Sequence, residues 1–436
     1  MNSKVSYPPG PRGLPIIGNT VDLSRDIFAF FDELRDEYGR VASYEVFGTD
    51  ACMVAHPDAI QQVLLDDHEA FEKGEVLTRN LADAMGEGLF VTGGDQWQSQ
   101  RTKVQLAFYR ERLNTYVPEM RATAEETVEQ WGDGMVINVS DTMASTTLDV
   151  LGRTLFGVDV TENPVVSEAS DAILARFDTS RFWSFLPNSL PTPTNRRYRQ
   201  KLGELNQFVD DLAQERRQQQ PENRGDDLLS ILVGFVEASD LNEEEFRDNM
   251  VTFLFAGHET TALGLTYTLL CLAQRPDIQA NLRADVDAVC DGTPRAEDLP
   301  KLERMQRVID EALRLYPPVY MFFREAKRDV KLQGYDIPAG TTLVLPQWAV
   351  HRDPEWWDDP ETFRPERFDD AEHPEYAYFP FGGGPRHCIG MRFARMEMKI
   401  VLATILNEYS FELVSDPNPD LIASTNLKLG EPIEME

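Results

Sequence analysis

Residues 381–390 read Phe-Gly-Gly-Gly-Pro-Arg-His-Cys-Ile-Gly and place Cys388 in a turn rich in glycine. Glycines lack a Cβ, so the backbone of this turn can approach a flat cofactor closely. Residues 391–400 repeat apolar side chains at helical spacing, which puts Cys388 near a predicted helix N-terminus. Free N–H groups and the helix dipole there favour a thiolate. Alone, the segment fits either a metal-binding thiolate or a buried free cysteine in a Gly-Pro loop.

The size and composition of the chain indicate one large globular unit. Its 436 residues contain no Ser/Gly linker and no low-complexity block. Hydrophobic residues make up 42% of the chain and include 24 Phe, which is enough for a substantial core. We predict a single domain over residues 1–436, with sheet portions in about 1–60 and 330–436 and a mainly helical part in about 61–329.

The net charge of −32 and the pI near 4.5 are strongly acidic, and only nine of the 42 basic residues are lysine. An acidic surface of this kind stays hydrated in concentrated salt, where screening removes most of its self-repulsion. We therefore expect a halophilic prokaryote or archaeon as the source. The same charge argues against a nucleic-acid partner, because phosphate binding needs a basic face.

The four cysteines are too few and too scattered for a disulfide framework, which indicates a reducing compartment. Residues 1–7 lack the apolar core of a signal peptide, and no stretch approaches 18 uninterrupted apolar residues. The sequence therefore predicts a cytoplasmic protein without a membrane span.

Periodicity predicts a mainly α protein with a minor β portion. Residues 27–38 have helical spacing, whereas 41–47 and 51–54 resemble two short strands. Helical patterns dominate from about 57 to 329, and strand-like spacing returns in 331–344 and after Tyr409. Small sheets are thus expected near both ends of the chain.

A predicted helix over 251–272 contains Ala-Gly-His-Glu-Thr-Thr at 256–261 within an otherwise apolar pattern. Ala256 and Gly257 would let a planar ligand lie against the helix. Thr260 could donate to the carbonyl one turn back and loosen the helix, making room for water or dioxygen. Alternatively, the polar residues form a patch that faces solvent.

A carboxylate and a guanidinium, Glu311 and Arg314, occupy positions i and i+3 of another predicted helix. Such pairs are common on surface helices and contribute little by themselves. Two Pro residues end this helix at once, and Arg367 follows about 50 residues later in a Pro-Glu-Arg-Phe segment. The three charged residues together therefore indicate a specific charge cluster more strongly than the Glu311–Arg314 pair does alone.

Every fixed position of Phe-Gly-x-Gly-x-Arg-x-Cys-x-Gly is filled at 381–390, and this segment resembles the haem-thiolate loop of the cytochrome P-450 monooxygenases. The resemblance spans nearly the whole chain. It implies the family's helix-rich triangular prism with small sheets, in which haem b (iron protoporphyrin IX) is buried between the oxygen-side helix and the cysteine loop. Cys388 would be the iron ligand, and its electron donation favours O–O cleavage.

The resemblance assigns roles to the other motifs. Glu259 and Thr260 match the acid and alcohol that relay protons to iron-bound dioxygen, and Glu311, Arg314 and Arg367 match a structural triad that holds the cysteine loop. Residues Trp97, Arg101, Ala256, Arg324, Phe381, Arg386 and Gly390 match positions that contact the haem, four of them at the propionates. Gln100 departs from the family, since many members have histidine there, which puts one propionate contact in doubt.

The expected reaction is insertion of one oxygen atom from dioxygen into a lipophilic molecule such as a fatty acid, terpenoid or steroid. The candidate pocket residues are mostly apolar: Phe90, Val91, Phe177, Phe182, Phe255, Val319, Tyr320, Met321 and Phe322. A peroxygenase or isomerase of the same fold would have no need of the pair at 259 and 260. A haem-based gas or redox sensor would usually carry an output domain, and none is visible.

A separate protein would supply the electrons. Basic residues occur in two short windows that the family places on the thiolate side of the haem: Arg101, Lys103, Arg110, Arg112, Arg386, Arg392, Arg395 and Lys399. In so acidic a chain they predict a docking surface for an acidic ferredoxin, unless several of them bind the propionates or the fold. The protein itself is expected to be a monomer.

Overall fold

The computed structural model describes residues 7–160, 164–177, 190–369 and 373–436. The helices are α1 (Thr20–Arg25), α2 (Ile27–Tyr38), α3 (Pro57–Gln61), α4 (Glu75–Met85), α5 (Gly94–Val104), α6 (Arg110–Val128), α7 (Val139–Leu151), α8 (Val165–Phe177), α9 (Pro193–Gln218), α10 (Leu228–Glu237), α11 (Glu243–Ala273), α12 (Pro276–Val289), α13 (Glu303–Leu315), α14 (Gln347–Val350) and α15 (Met391–Glu408). The strands are β1 (Val41–Val46), β2 (Thr49–Val54), β3 (Phe71–Glu72), β4 (Ile137–Asn138), β5 (Phe322–Ala326), β6 (Val330–Leu332), β7 (Tyr335–Ile337), β8 (Thr342–Leu345), β9 (Leu421–Ala423), β10 (Leu427–Leu429) and β11 (Glu434–Met435).

The chain divides into two compact units. Unit 1 comprises Met1–Asn80 and Leu313–Cys388, and unit 2 comprises Leu81–Ala312 and Ile389–Glu436. Helices dominate and the sheets are small, as the periodicity predicts. Within the described ranges, no helix is both long and apolar enough to cross a membrane.

Unit 1 is built on a five-stranded sheet with the order β1-β2-β8-β5-β3. Strands β2 and β8 are parallel, and the other neighbours are antiparallel. The predicted β1–β2 hairpin is confirmed, but its turn lies at Phe47 and Gly48, both with positive φ, rather than at 48–50. Strand β2 is buried from Ala51 to Val54, so this sheet forms the centre of the unit 1 core.

Helix α2 has the bounds that its apolar period predicts. Asp26 caps it by accepting hydrogen bonds from the N–H groups of Phe28 and Ala29, each at 3.0 Å. Phe31 and Leu34 on its apolar face are buried in the unit 1 core. The Asp26 cap and the apolar period indicate the same helix start, so the sequence predicts this helix correctly.

Unit 2 is organised around the 31-residue helix α11. A capping box between Asn242 and Glu245 starts this helix at Glu243, eight residues earlier than the apolar pattern alone predicts. The helix packs closely on α7: a Cβ on Gly257 would lie 2.7 Å from the Leu151 side chain, and the Thr147 hydroxyl donates to the His258 carbonyl at 3.0 Å. The two-stranded sheets β9–β10 and β4–β11 complete unit 2.

Candidate active site

The cysteine loop of unit 1 is closed by its own backbone. The Cys388 N–H donates to the Phe381 carbonyl at 2.8 Å, and the His387 N–H donates to the Gly384 carbonyl at 3.1 Å. Gly382 and Gly384 have φ values of +71° and +63°, a region that strongly favours glycine. These contacts leave Cys388 exposed at the end of the loop, three residues before α15 begins.

Two of the loop glycines are required by packing within unit 1. A Cβ on Gly383 would lie 2.4 Å from the Tyr376 ring, and one on Gly384 would lie 1.7 Å from the Leu64 carbonyl oxygen. The sequence predicts that these glycines let a cofactor approach the backbone closely, and that role stays a prediction. The structure adds a packing role, which is to seat the loop against residues 64 and 376.

A chain of hydrogen bonds supports the start of the loop. The Phe379 N–H donates to Nε2 of His351 at 3.1 Å, and the Gln347 side-chain amide donates to the Phe379 carbonyl. Burial and the neighbouring Arg314 and Arg352 charges lower the pKa of His351 well below its usual value, so the ring is neutral and can accept. Arg314 in turn donates to the His351 carbonyl at 2.7 Å.

Arg314 and Arg367 converge on one segment of unit 1. Arg314 is completely buried and donates to the Pro360 carbonyl at 2.8 Å, whereas Arg367 donates to the Asp358 carbonyl at 2.9 Å. Both guanidiniums lie over the ring of Trp357, at 5.2 and 6.0 Å. Glu311 is also completely buried, one turn before Arg314 on α13.

Arg324 lies on β5 in an environment suited to an anion. Its side chain is half-buried, and desolvation followed by the nearby Arg386 charge lowers its pKa to about 10. It donates to the Phe323 carbonyl at 2.7 Å, and among the described residues no carboxylate forms an ion pair with it. A carboxylate ligand would relieve the repulsion between the two guanidiniums.

In unit 2, the middle of α11 is open on one side. Ala256 is exposed although Leu254, Phe255 and His258 around it are buried. The Thr260 hydroxyl donates to the Ala256 carbonyl at 3.0 Å, as the sequence predicts. The His258 ring is hydrogen-bonded to the Leu254 carbonyl at 2.7 Å, which gives it a structural role.

Both carboxylate oxygens of Glu259 are engaged by the β9–β10 hairpin. The Asn426 amide donates to one oxygen at 2.7 Å, and Nζ of Lys428 lies 3.1 Å from the other. The carboxylate is largely buried, with 14% of its side chain exposed. Sequence reasoning missed Asn426 and Lys428, because they lie more than 160 residues away in an unremarkable polar segment.

Trp97 and Arg101 occupy successive turns of α5, and both side chains are partly buried. Gln100 occupies the position at which many family members have histidine. It is buried, and its side chain bonds to the segment that precedes α5. Its amide donates to the Glu87 carbonyl at 2.8 Å, and its oxygen accepts from the Thr92 hydroxyl at 3.3 Å. This residue therefore anchors α5 to the preceding segment.

Comparison with known proteins decides the family. The family model for cytochrome P450 matches residues 8–434, almost the entire chain. This chain belongs to the cytochrome P450 family. As a member, it is a haem-iron monooxygenase that acts on a lipophilic organic molecule with dioxygen.

The relatives include bacterial oxygenases. Pentalenene oxygenase of Streptomyces avermitilis is 34% identical over 419 residues, covering 94% of this chain and 92% of its own. Cyclooctat-9-en-7-ol 5-monooxygenase of Streptomyces melanosporofaciens is 33% identical, covering 92% and 88%. The structure of retinoic acid-bound cyanobacterial CYP120A1 superposes with a TM-score of 0.89 at 27% identity, covering 100% of this chain and 99% of its own. The predicted P450 fold is thus confirmed.

The residues of this P450 fit a haem. Unit 1 offers an exposed cysteine on a braced loop and a half-buried guanidinium, that of Arg324, whose pKa is lowered by desolvation and by the nearby Arg386 charge. Unit 2 offers an exposed alanine, Ala256, within a buried helix. A thiolate, an anion-seeking guanidinium and a small residue on an open face are what iron, propionates and a porphyrin plane respectively require.

The candidate pocket residues fall into three groups. Phe255 is buried, and Phe90 and Val91 retain some exposure in unit 2. In unit 1, Val319 is partly buried. The other unit 1 candidates pack within that unit: Tyr320 against Phe28 with ring centres 5.6 Å apart, Met321 against the core, and Phe322 against Phe379 at 6.1 Å. Phe182 lies outside the described residues, as does the side chain of Phe177.

Several of the basic residues predicted to bind a partner instead form ion pairs or hydrogen bonds within unit 2. Arg112 pairs with Asp226, Arg395 pairs with Asp310 at 2.9 Å, and Lys399 donates to the Leu299 carbonyl at 3.1 Å. Arg110 and Arg392 are exposed, and among the described residues neither forms an ion pair. These two arginines are the better candidates for contact with a partner.

Proposed function

We propose that this P450 binds haem b through Cys388 and oxygenates a terpenoid. The exposed cysteine at the end of a loop that its own backbone closes is the observation that carries the cofactor assignment. The terpenoid assignment rests on the two Streptomyces relatives, whose names specify pentalenene and a cyclooctatenol, and on the apolar pocket candidates. The match over residues 8–434 supports one P450 domain made of both units.

The bound haem would supply dioxygen activation, and the chain's residues would orient the reactants and move protons. Arg324 and Arg386, with Trp97 and Arg101, would bind the propionates. The Glu259 carboxylate and the Thr260 hydroxyl would hold and move protons at their own oxygens, beside the open face of α11 at Ala256.

A carbon monoxide difference spectrum of the reduced protein tests the cofactor assignment. Wild type should show a Soret band at the position typical of a thiolate ligand, and Cys388→Ala should lose that band. Cys290→Ala, which removes a half-buried cysteine elsewhere, is the matched control and should keep it. A band at the same position in Cys388→Ala would contradict the assignment.

The substrate class can be tested with the oxidised haem protein. Terpenoids of different ring size should shift the haem from low to high spin, whereas fatty acids and steroids of similar volume should do so only weakly. Stronger shifts with fatty acids than with any terpenoid would contradict the terpenoid assignment.

We also propose that the electron donor is a ferredoxin that docks at Arg110 and Arg392. Both arginines are exposed cations in a chain of net charge −32, so an acidic partner would meet favourable charge there. Arg110→Glu should slow reduction several-fold at low salt. Arg197→Glu, a charge reversal at an exposed arginine of α9, is the control. Unchanged reduction in Arg110→Glu would remove this proposal.

A haem-based sensor or a peroxygenase is disfavoured by Glu259 and Thr260. A sensor needs no proton relay, and neither does a peroxygenase, yet the acid is held in place by two long-range contacts. Product formation that requires reductant and dioxygen, and that hydrogen peroxide does not support as well, distinguishes the monooxygenase from both alternatives.

The acidic surface supports a further proposal, which is that the protein works in concentrated salt. Its excess of 32 negative charges cannot be neutralised by internal pairing. A saline source, such as a halophilic prokaryote or archaeon, would explain why so much charge is tolerated.

A further inference from the structure

The connection between α4 and α5 is bound to α11 by two successive side chains. Asp248 accepts a hydrogen bond from the Glu87 N–H at 2.7 Å, and Asn249 accepts one from the Leu89 N–H at 3.0 Å. Asn249 is completely buried, and its amide donates to the Glu245 carbonyl at 2.7 Å, which fixes the direction of its oxygen. Alternate N–H groups of the connection are thus bound to adjacent acceptors on one helix.

Two glycines let the connection lie directly on α11. A Cβ on Gly86 would lie 2.1 Å from Oδ2 of Asp248, and one on Gly88 would lie 2.3 Å from the Thr252 hydroxyl oxygen. Gly86 also has a φ of +47°, which favours glycine. A side chain at Gly88 would therefore push the connection away from the helix.

The row of α11 residues beneath the connection leads to the open part of the helix. Residues at intervals of four form a continuous row on a helix surface, and here that row is Asp248, Thr252, Ala256 and Thr260. Thr252 is buried against Gly88, whereas Ala256, one turn later, is exposed. The connection therefore covers α11 up to the point at which its open face begins.

Phe90 follows two residues after Gly88 and has the exposure expected at the edge of an open face. It is 37% exposed, whereas Leu89 before it and Thr92 after it are buried. The hydrogen bond from the Leu89 N–H to Asn249 fixes the backbone from which the Phe90 ring projects. The place of this ring beside the open face thus depends on an acceptor of α11.

We propose that Asp248 and Asn249 are positioning residues that hold residues 86–92 as one wall of the space beside Ala256, and so limit the size of the lipophilic molecule admitted there. This inference rests on the binding of haem beside Ala256 proposed above. Both side chains act through the backbone N–H groups that they accept. The position of Asp248 therefore requires an acceptor oxygen rather than a charge.

Hydrogen exchange and a pair of haem ligands test the proposal in the haem-loaded enzyme. Asp248→Leu removes one acceptor, whereas Asp248→Asn keeps an acceptor oxygen without the charge. In Asp248→Leu, the backbone amides of residues 86–92 should exchange faster. 4-Phenylimidazole should bind roughly two- to tenfold more weakly, because the wall must be ordered when this ligand binds. Imidazole, which is too small to reach the wall, should bind equally well, and Asp248→Asn should match wild type throughout.

Two further variants separate positioning from general stability. Gly88→Ala displaces the connection without removing an acceptor and should also weaken 4-phenylimidazole binding selectively. Thr268→Ala changes a completely buried residue farther along α11, whose hydroxyl donates to the Gly264 carbonyl at 2.6 Å. It should lower stability while changing neither exchange in residues 86–92 nor the ratio of the two affinities.

The outcomes separate this inference from the cofactor assignment. If exchange in Asp248→Leu stays as in wild type, or rises without any change in the ratio of the two affinities, the connection is not a wall that Asp248 positions. The inference is then overturned while the haem assignment stands. An equal change of the ratio in Thr268→Ala would overturn it as well, because the effect would be one of general stability. If neither ligand shifts the Soret band of wild type, the haem assignment fails and the inference fails with it.

Discussion

The carboxylate of Glu259 has two fixed partners, Lys428 at 3.1 Å and Asn426 at 2.7 Å. A relay carboxylate must be held in one conformation and yet be able to exchange protons. An ion pair at one oxygen and an amide at the other satisfy the first requirement. They also connect α11 to the β9–β10 hairpin, so that this hairpin would position the acid of the proposed relay.

Removal of the Lys428 charge should therefore uncouple the reaction without changing haem or substrate binding. Lys428→Met keeps the aliphatic stem, and we expect the product formed per reductant consumed to fall roughly two- to tenfold. Glu259→Gln should lower turnover by roughly 10²-fold, since it removes the acid itself. Lys331→Met, which breaks a surface ion pair with Asp336, is the control. If Lys428→Met formed as much product per reductant consumed as wild type, the hairpin would not be needed to position the acid.

The cysteine loop shows how one element depends on residues that lie far from it in sequence. Its start is fixed by His351, whose neutral ring accepts the Phe379 N–H. His351→Leu would leave that N–H buried without a partner, at a cost of about 1–3 kcal/mol. We expect weaker haem retention and a broadened Soret band of the carbon monoxide complex.

His373→Leu provides the matched control for the loop. His373 lies in the same unit and packs on Trp357 with ring centres 4.3 Å apart, but it makes no hydrogen bond to the cysteine loop among the described residues. It should lower stability while leaving the Soret band unchanged. Equal spectral effects of the two substitutions would show that His351 acts through general stability alone.

Helix α15 carries a second testable feature, the buried Glu397. Burial raises its pKa well above the usual value, and its Oε1 has no partner among the described residues. Because the folded-state pKa is raised, the stability associated with the protonated acid is fully present below the unfolded-state value of 4.5 and is lost as the pH rises toward the folded-state value.

Glu397→Gln should consequently stabilise the protein at neutral and alkaline pH and have little effect near pH 4. Each unit of pKa difference corresponds to about 1.4 kcal/mol. Urea midpoints measured at several pH values test this, with Glu408→Gln at the end of the same helix as the control. A gain in stability that does not depend on pH would mean that Glu397 is not protonated in the fold.

The elements that sequence predicts well are those whose signals are local. Helix α2 is readable because the Asp26 cap and the apolar period coincide, and the cysteine loop is readable because its residue types are fixed by tight turns. The start of α11 is missed because the apolar pattern begins after its capping box. The contacts of Glu259 with Asn426 and Lys428 join residues separated by more than 160 positions, and no local rule reports them.

For the whole molecule, two effects of salt oppose each other. Ion pairs such as Arg247 with Asp210 and Arg153 with Glu126 weaken as salt screens them. Exposed pairs of this kind contribute only about 0–1 kcal/mol each. The repulsion among 32 surplus negative charges is also screened, and it involves many more interactions. Net stabilisation by salt is therefore expected.

We predict that the apparent melting temperature rises by roughly 5 °C or more between 0.1 M and 2 M sodium chloride. The rise should be steepest below about 1 M, where the screening length falls from about 10 Å to about 3 Å. Sucrose of equal osmolarity separates screening from solvent exclusion, because it is excluded from protein surfaces but carries no charge. An equal rise in sucrose, or no rise in salt, would mean that charge repulsion does not limit stability, and the acidic composition would then need an explanation other than adaptation to salt.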